Sequence, residues 1–569
     1  MYFLLSFLSQ IAFPLLLISA FWFITYLFIN NWLKDHFNKY IIIGIAWFVL
    51  FSSLVTFALT LSVRVYLSVP FFLLIAAIAI YILFKFLVRG TLMNLSLRIG
   101  ILKTLVASIP FFLVFFLNNW GNNFAGSSYA SLGTLHSAKY SYLSEYIEVC
   151  RKLPAIKNNV GQSIVVAFFS SSTHATATYL LFLVLVFSLL ALAFLAYGLF
   201  TKHFPQSSNL DRVYALAIFT LGSYALSLAV PTINDSGNPL FFVGYSDSLV
   251  SIFYFFILTE LLKESTKVPV GQKLFLLIPG TITLWVSSPQ ALILIPVTLM
   301  YLIYKKSWKN SLLVVSAFVT SLVVWRNQTG MLATLSKEIA IPGVAGDGSK
   351  LSIPSSFNEL ISPGLPYVVN SLDLKSSPLE IFPKGIDLFK SLIAEVQPVN
   401  GIPVIDPARL FWYSEQIFLA TLRPVFWPLL GIVLFALICN TKFSKRFMQR
   451  FSYPESELTP TVSLIGLNLL VTFPLSFLIQ FGGKKWEMSR FSFLNWAIGM
   501  FFISLLFIYF RIYKKFRAAQ LIFIFTVIPT VLHLITRLAV NATGAAFSLD
   551  TPVGVIGVIQ EVIRINCSY

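Results

Sequence analysis

The run ATATYLLFLVLVFSLLALAFLAYGLF, residues 175–200, contains no charged side chain. A helix rises about 1.5 Å per residue, so this run is long enough to cross the roughly 30 Å hydrocarbon core of a bilayer. Runs of the same character recur in both directions. On the N-terminal side they are 3–29, 41–62, 71–88 and 101–117. On the C-terminal side they are 213–232, 248–263, 273–287, 291–304, 310–326, 416–439, 460–480, 492–510 and 518–538. The pattern predicts an all-α polytopic transmembrane protein with about fourteen spans. Segments 273–287 and 291–304 are short, and a re-entrant hairpin through SSPQ (287–290) is the alternative to two crossings there.

Composition supports this class. The chain has 569 residues, 57% of them hydrophobic and only 11% charged, with a mean hydropathy of +0.83. Soluble domains carry about 25% charged residues. A membrane barrel would show alternating segments of about ten residues instead. The net charge of +18 need not mean nucleic acid, because Lys and Arg collect in the loops that stay inside a membrane; no nucleic-acid partner is expected. Cys150, Cys439 and Cys567 have no metal-ligand spacing and are expected to form no disulfide framework. The N-terminus is apolar almost from Met1 and lacks a basic leader, so the first helix is expected to remain in place.

Charge gives the orientation. Short basic loops occur at KDHFNK (34–39), at Lys85 to Lys103, at Lys202 with Arg212, at Lys263 to Lys273, at Lys305 to Lys309, at KFSKRFMQR (442–450) and at RIYKKFR (511–517). They fall at alternate gaps between runs. The long polar loops (118–163, 231–247, 327–415 and 481–491) fall at the other gaps. The positive-inside rule then places the basic loops in the cytoplasm and both termini outside an inner (cytoplasmic) membrane. The expected divisions are accessory helices at 1–103, a core at 104–326, an extracytoplasmic cap loop at 327–415 and C-terminal helices with an external tail at 416–569. The cap is rich in Pro and Gly but keeps enough apolar residues, Trp412 among them, to pack on the helices.

The loop 118–163 has two halves. NNWGNNFAGSSYASLGT is irregular backbone. HSAKYSYLSEYIEVCRKLP repeats apolar residues at Tyr140, Leu143, Tyr146 and Ile147, the spacing of one helix face. Its charged residues Lys139, Glu145, Glu148, Arg151 and Lys152 occupy the remaining faces. A helix over 138–152, ended by Pro154, is expected to lie in the membrane interface, with a turn at Gly161 returning to apolar sequence.

This stretch resembles the first extracytoplasmic loop of GT-C superfamily glycosyltransferases, on His136, the helix 138–152, Pro154 and Gly161-Gln162-Ser163. WEMSRFSFLNWAIGM (486–500), with Arg490, is similar to the arginine-led start of a late helix in the same superfamily. The resemblance implies a polytopic enzyme that takes a sugar from a polyprenyl-phosphate donor and passes it to a glycan, lipid or protein hydroxyl. The family places an acid soon after the outward helix. Here that region offers Asn118, Asn119, Asn122 and Asn123, with His136 near the helix start. Three alternatives follow: His136 is the base, an acid from another loop serves, or catalysis is lost.

The candidate catalytic residues are His136, Glu145, Asp235 and Asp247. Histidine suits a general base near neutral pH. Asp235 and Asp247 share the loop PTINDSGNPLFFVGYSDS and could activate a hydroxyl or hold a divalent cation; no clear metal motif accompanies them. The candidate substrate-binding residues are Lys139, Gln162, Arg326, Lys484, Lys485 and Arg490. The GGKKWEMSR cluster suits a lipid phosphate at membrane depth. The alternative readings are an O-antigen polymerase or ligase, a polysaccharide or lipid transporter or flippase, and an assembly protein. The scarcity of charge within the spans weighs against an ion-coupled transporter.

Overall fold

The computed structural model describes residues 12–88, 135–153, 160–173, 175–221, 246–262, 267–287, 291–329, 492–512 and 515–524, with isolated positions at 398–399, 402–403, 467 and 526–527. Among the described residues the architecture is helical. The exception is one antiparallel pairing of Pro398–Val399 with Ile402–Pro403. The expected runs 101–117 and 416–439, and nearly all of 460–480, lie outside the described residues.

The helices are α1 (Phe13–Leu33), α2 (Lys39–Thr60), α3 (Val69–Val88), α4 (Leu135–Cys150), α5 (Gly161–Thr173), α6 (Ala177–His203), α7 (Asn209–Leu221), α8 (Ser246–Leu261), α9 (Val270–Ser287), α10 (Ala291–Tyr304), α11 (Trp308–Thr329) and α12 (Ser492–Ile512). Among the described residues four stretches, Phe13–Leu33, Lys39–Thr60, Tyr179–His203 and Val270–Ser287, are long and apolar enough to cross a membrane. Shorter apolar helices accompany them. The outward faces are apolar too. Leu73, Leu74, Ile78, Tyr81 and Phe84 on α3 are exposed, as are Leu312, Val319 and Val323 on α11. Each such side chain left in water would forgo about 1.5–3 kcal/mol of burial, so these faces belong in hydrocarbon. The protein is a helical membrane protein.

Local sequence sets the helix ends. Asn38 starts α2 by accepting a hydrogen bond from the Ile41 backbone N–H at 3.1 Å, the role of an N-cap side chain. Ser208 and Asp211 form a reciprocal capping box on α7. The Asp211 N–H donates to Ser208 Oγ at 3.1 Å, and the Ser208 N–H donates to Asp211 Oδ2 at 3.3 Å. The connection after α10 turns on Lys306, at φ 53°, with the Ser307 N–H donating to the Leu302 carbonyl.

At the centre, α2 packs along α6 and also meets α1, α9 and α5. The α2–α6 crossing is close because two glycines face the partner backbone. A Cβ at Gly44 would lie 2.8 Å from Leu195 Cβ and 2.9 Å from the Ala191 carbonyl oxygen. A Cβ at Gly198 would lie 2.7 Å from both the Ile41 nitrogen and Ile41 Cγ1. Small residues allow such backbone approach in membranes, where apolar burial alone does not drive helix association. Polar groups then hold the register. Asn38 Nδ2 donates to the Gly198 carbonyl at 2.8 Å, and Trp47 Nε1 donates to Ser188 Oγ at 2.9 Å.

The helices have two chemically distinct ends. At the first, Lys202 Nζ on α6 pairs with Glu260 Oε2 on α8 at 2.7 Å. Arg511 Nε on α12 pairs with Asp211 Oδ1 on α7 at 2.9 Å. Phe28 and Trp32, late in α1, pack on Phe275, early in α9. Basic loops far apart in sequence therefore meet at one end, as their alternation predicts. At the opposite end, the Val160 N–H donates to the Val286 carbonyl at 3.1 Å. Tyr66, closing the one-turn helix Val63–Tyr66 after α2, donates its hydroxyl to the Ile164 carbonyl at 3.3 Å. Burial pushes the Tyr66 phenol well above its ordinary value, so it stays a neutral donor.

Three sequence expectations are corrected. The helix expected over 138–152 runs over Leu135–Cys150. It ends at Arg151, which adopts a left-handed backbone at φ 51°, before Pro154 is reached. Gly161 is not a turn: it opens the buried helix α5, which is too short to register as a span by hydropathy. Cys150 is also disulfide-bonded, where the spacing of the cysteines suggests no disulfide framework.

Candidate functional site

The candidate site is the junction of α4, α5 and the ends of α2, α6 and α9 opposite the basic end. Helix α5 is short, and almost every residue in it is buried. Its apolar face packs through Phe168 and Phe169 on Phe21 of α1, and Phe168 also meets Tyr66. Helix α4 lies against α5 and α6, with Leu143 and Ile147 buried. That is the apolar face the sequence spacing predicts.

Polar contacts fix this pair of helices. Ser170 Oγ on α5 donates to Glu148 Oε2 on α4 at 2.6 Å and lies 3.0 Å from the Ala175 carbonyl. Arg151 Nη1 donates to the Leu67 carbonyl at 2.6 Å, which ties the end of α4 to the turn between α2 and α3. Arg151 itself has a left-handed backbone, at φ 51°. Such a conformation costs a β-carbon residue about 1–3 kcal/mol and persists only when its surroundings enforce it.

At the start of α5, Gln162 is fully buried. Its amide oxygen and nitrogen have no hydrogen-bond partner among the described residues, nor does the buried hydroxyl of Ser287 at the end of α9. The Val160–Val286 hydrogen bond holds these two chain segments together. An unmatched buried polar group costs about 1–3 kcal/mol, so such groups call for a partner beyond the described residues.

The predicted residues fall as follows. His136 and Lys139 are in α4, and Glu145 is half-buried on the same helix. Gln162 opens the adjoining helix. Asp247 is in the first turn of α8, whose other end carries Glu260, so it lies at the α4–α5 end. Arg326 is near the C-terminus of α11. Asp235, Lys484, Lys485 and Arg490 lie outside the described residues. No group of three or more His, Cys, Asp or Glu side chains with metal-binding geometry occurs among the described residues.

Sequence reasoning misses Glu148, Arg151 and Ser287 as members of the site. Glu148 carries a detectable signal, since it stands three residues after Glu145 and so shares its side of the helix. Spacing alone assigns it to a solvated face. Ser287 carries no signal, because only the packing of α5 on α9 brings the end of α9 to the start of α5.

Comparison with protein-family models, curated proteins and solved structures finds no match to this chain.

Proposed function

We propose that the protein is a GT-C-like membrane glycosyltransferase with about fourteen spans. In this reading it takes a sugar from a polyprenyl-phosphate donor and passes it to a glycan, lipid or protein hydroxyl at the extracytoplasmic face of the inner membrane, in cell-surface glycan assembly. The observation that supports this reading most is the α4–α5 pair. It sets a helix bearing His136, Glu145 and Glu148 beside a buried, unmatched amide at Gln162, at the end away from the basic loops.

In the proposed reaction a base, His136 or a carboxylate of Glu145, Asp235 or Asp247, takes the acceptor hydroxyl proton. The acceptor oxygen bonds to the anomeric carbon. The anomeric carbon–oxygen bond to phosphate breaks, and polyprenyl phosphate departs with that electron pair. Lys484, Lys485 and Arg490, with Lys139 and Arg326, would stabilise the charge on the leaving phosphate. Gln162 would hydrogen-bond the donor.

The test is turnover of labelled polyprenyl-phosphate sugar by purified protein. We expect release of polyprenyl phosphate, reduced at least tenfold by Gln162→Leu. Absence of release with every donor tried, together with unchanged surface glycans in a deletion strain, would rule the proposal out.

A further inference from the structure

We propose that the turn between α10 and α11 holds an anionic phospholipid, with the lipid phosphate at Lys306 and Lys309 and an acyl chain along α11. The turn reads YKKSWK over 304–309, three lysines and two aromatic rings in one short stretch. Tyr304 is 80% exposed and Trp308 is 66% exposed. Lys305, Lys306 and Lys309 are exposed beside them. The whole of 291–329 contains no Asp or Glu. None of the three lysines forms an ion pair among the described residues. Their charge is open to an anion from outside these helices.

Local structure does not account for all three cations. Helix α10 closes with the Lys306 N–H donating to the Ile303 carbonyl and the Ser307 N–H donating to the Leu302 carbonyl. That is a Schellman closure, and its left-handed position is usually glycine. Lys306 occupies it at φ 53°. Glycine would meet the backbone need with less strain. The dipole of α10 favours a cation near this end, and Lys305 already supplies one. Lys305 Nζ also lies 5.7 Å from the centre of the Tyr304 ring, a cation–π contact. Lys309 is in the first turn of α11, where the helix dipole disfavours positive charge. Lys306 and Lys309 therefore stand where the helices themselves do not ask for lysine.

The apolar surface leading away from the turn suits an acyl chain. Trp308, Leu312, Val315, Val319 and Val323 are all exposed. Their spacing places them in one stripe along α11, about 22 Å long. On α10, Met300, Ile303 and Tyr304 are exposed and share one face. A soluble phosphate would leave these stripes uncovered, whereas a phospholipid covers charge and stripe together. Tyr304 and Trp308, each an apolar ring with a polar tip, fit the level where headgroups begin. A zwitterionic headgroup carries its own cation beside the phosphate, so the lysines select the anionic class. Basic loops attract anionic lipid in general; the distinction here is a lipid held at one turn. The loop after α1 lacks these features. Exposed Lys34 there has Asp35 beside it, and Trp32 is packed on Phe275. The inference does not rest on the proposed glycosyl transfer, and its failure would leave the donor-turnover assay unaffected.

The test is native mass spectrometry of the full-length protein in mild detergent, titrated with phosphatidylglycerol or, separately, phosphatidylcholine. We expect a phosphatidylglycerol adduct that forms well before any phosphatidylcholine adduct. Lys306→Gly and Lys309→Gln should each weaken it about fivefold, the contribution of one lysine near an anionic lipid surface, and the double variant about twentyfold. Lys306→Arg and Lys309→Arg should bind as the parent does, and Lys34→Gln should change nothing. Lys309→Gln leaves the left-handed position untouched, so the test stands even where Lys306→Gly alters the turn. Excess glycerol 3-phosphate should not displace the lipid. Equal binding of the two lipids, an equal loss in Lys34→Gln, or displacement by glycerol 3-phosphate would each overturn the proposal.

Discussion

At the scale of single residues, the chemistry of this chain lies in a few polar side chains set in an apolar bundle. Glu260 shows the balance. Its side chain is 3% exposed and meets Lys202 at 2.7 Å, with His203 Nε2 at 4.0 Å. Removing one partner of a buried pair leaves an uncompensated charge, which costs more than replacing both partners. Lys202→Met should therefore lower stability by about 3 kcal/mol, while the double variant Lys202→Met/Glu260→Leu regains most of that. Thermal unfolding in detergent checks this, and equal losses in the single and double variants would contradict it. Neither the pairing of Lys202 with Glu260 nor the isolation of Gln162 is legible in sequence, because each depends on which helix lies opposite. His136, Glu145 and Lys139 are legible as members of one helix, since spacing within a helix is fixed by its own geometry.

At the scale of elements, the α2–α6 seam is held by what its glycines lack. Adding a methyl at Gly198 places carbon 2.7 Å from the Ile41 nitrogen, which is backbone and cannot swing away. Gly198→Ala should cost about 1–3 kcal/mol, the usual penalty of overpacking. At Gly271, near the start of α9, an added methyl would meet nothing within 4 Å. Gly271→Ala is the matched control and should be neutral or slightly stabilising. If the two variants unfold together, the close crossing is not the source of the constraint. The helices themselves are largely legible: α2, α6, α8 and α9 begin or end within a few residues of the apolar runs. Helix α5 is not, because its sequence GQSIVVAFFSSST is too short to register as a span. Its burial, nearly complete along its length, depends on the helices packed around it.

At the scale of the whole molecule, the Asp211–Arg511 pair joins α7 to α12 across most of the sequence. Burial alone would raise the Asp211 carboxyl. The hydrogen bonds from Ser208 and Arg511, with the Arg511 charge, outweigh it and hold the group below its ordinary value. A carboxylate with a depressed folded pKa stabilises fully above its unfolded value of about 3.9 and loses that contribution as pH falls through the folded value. Asp211→Asn should then cost about 1–2 kcal/mol at pH 7. Its difference from the parent should shrink progressively below about pH 4. Paired unfolding measurements from pH 7 to pH 3 test this, and a gap that does not narrow with acid would remove the carboxylate from the account.

By itself the sequence determined that this is a helical membrane protein, and it determined that the basic loops alternate with the polar ones. Hydrophobicity and charge are summed along the chain, and neither needs to know which helices are neighbours. Only the tertiary structure decided that α2 and α6 form the central seam, that α5 is a separate buried helix, and that Glu148 faces Ser170 rather than solvent. It also decided that the end of α4 lies against the turn at Leu67, far from the basic loops. Such facts depend on backbone approach and on side chains brought together from distant segments, and no local pattern encodes them.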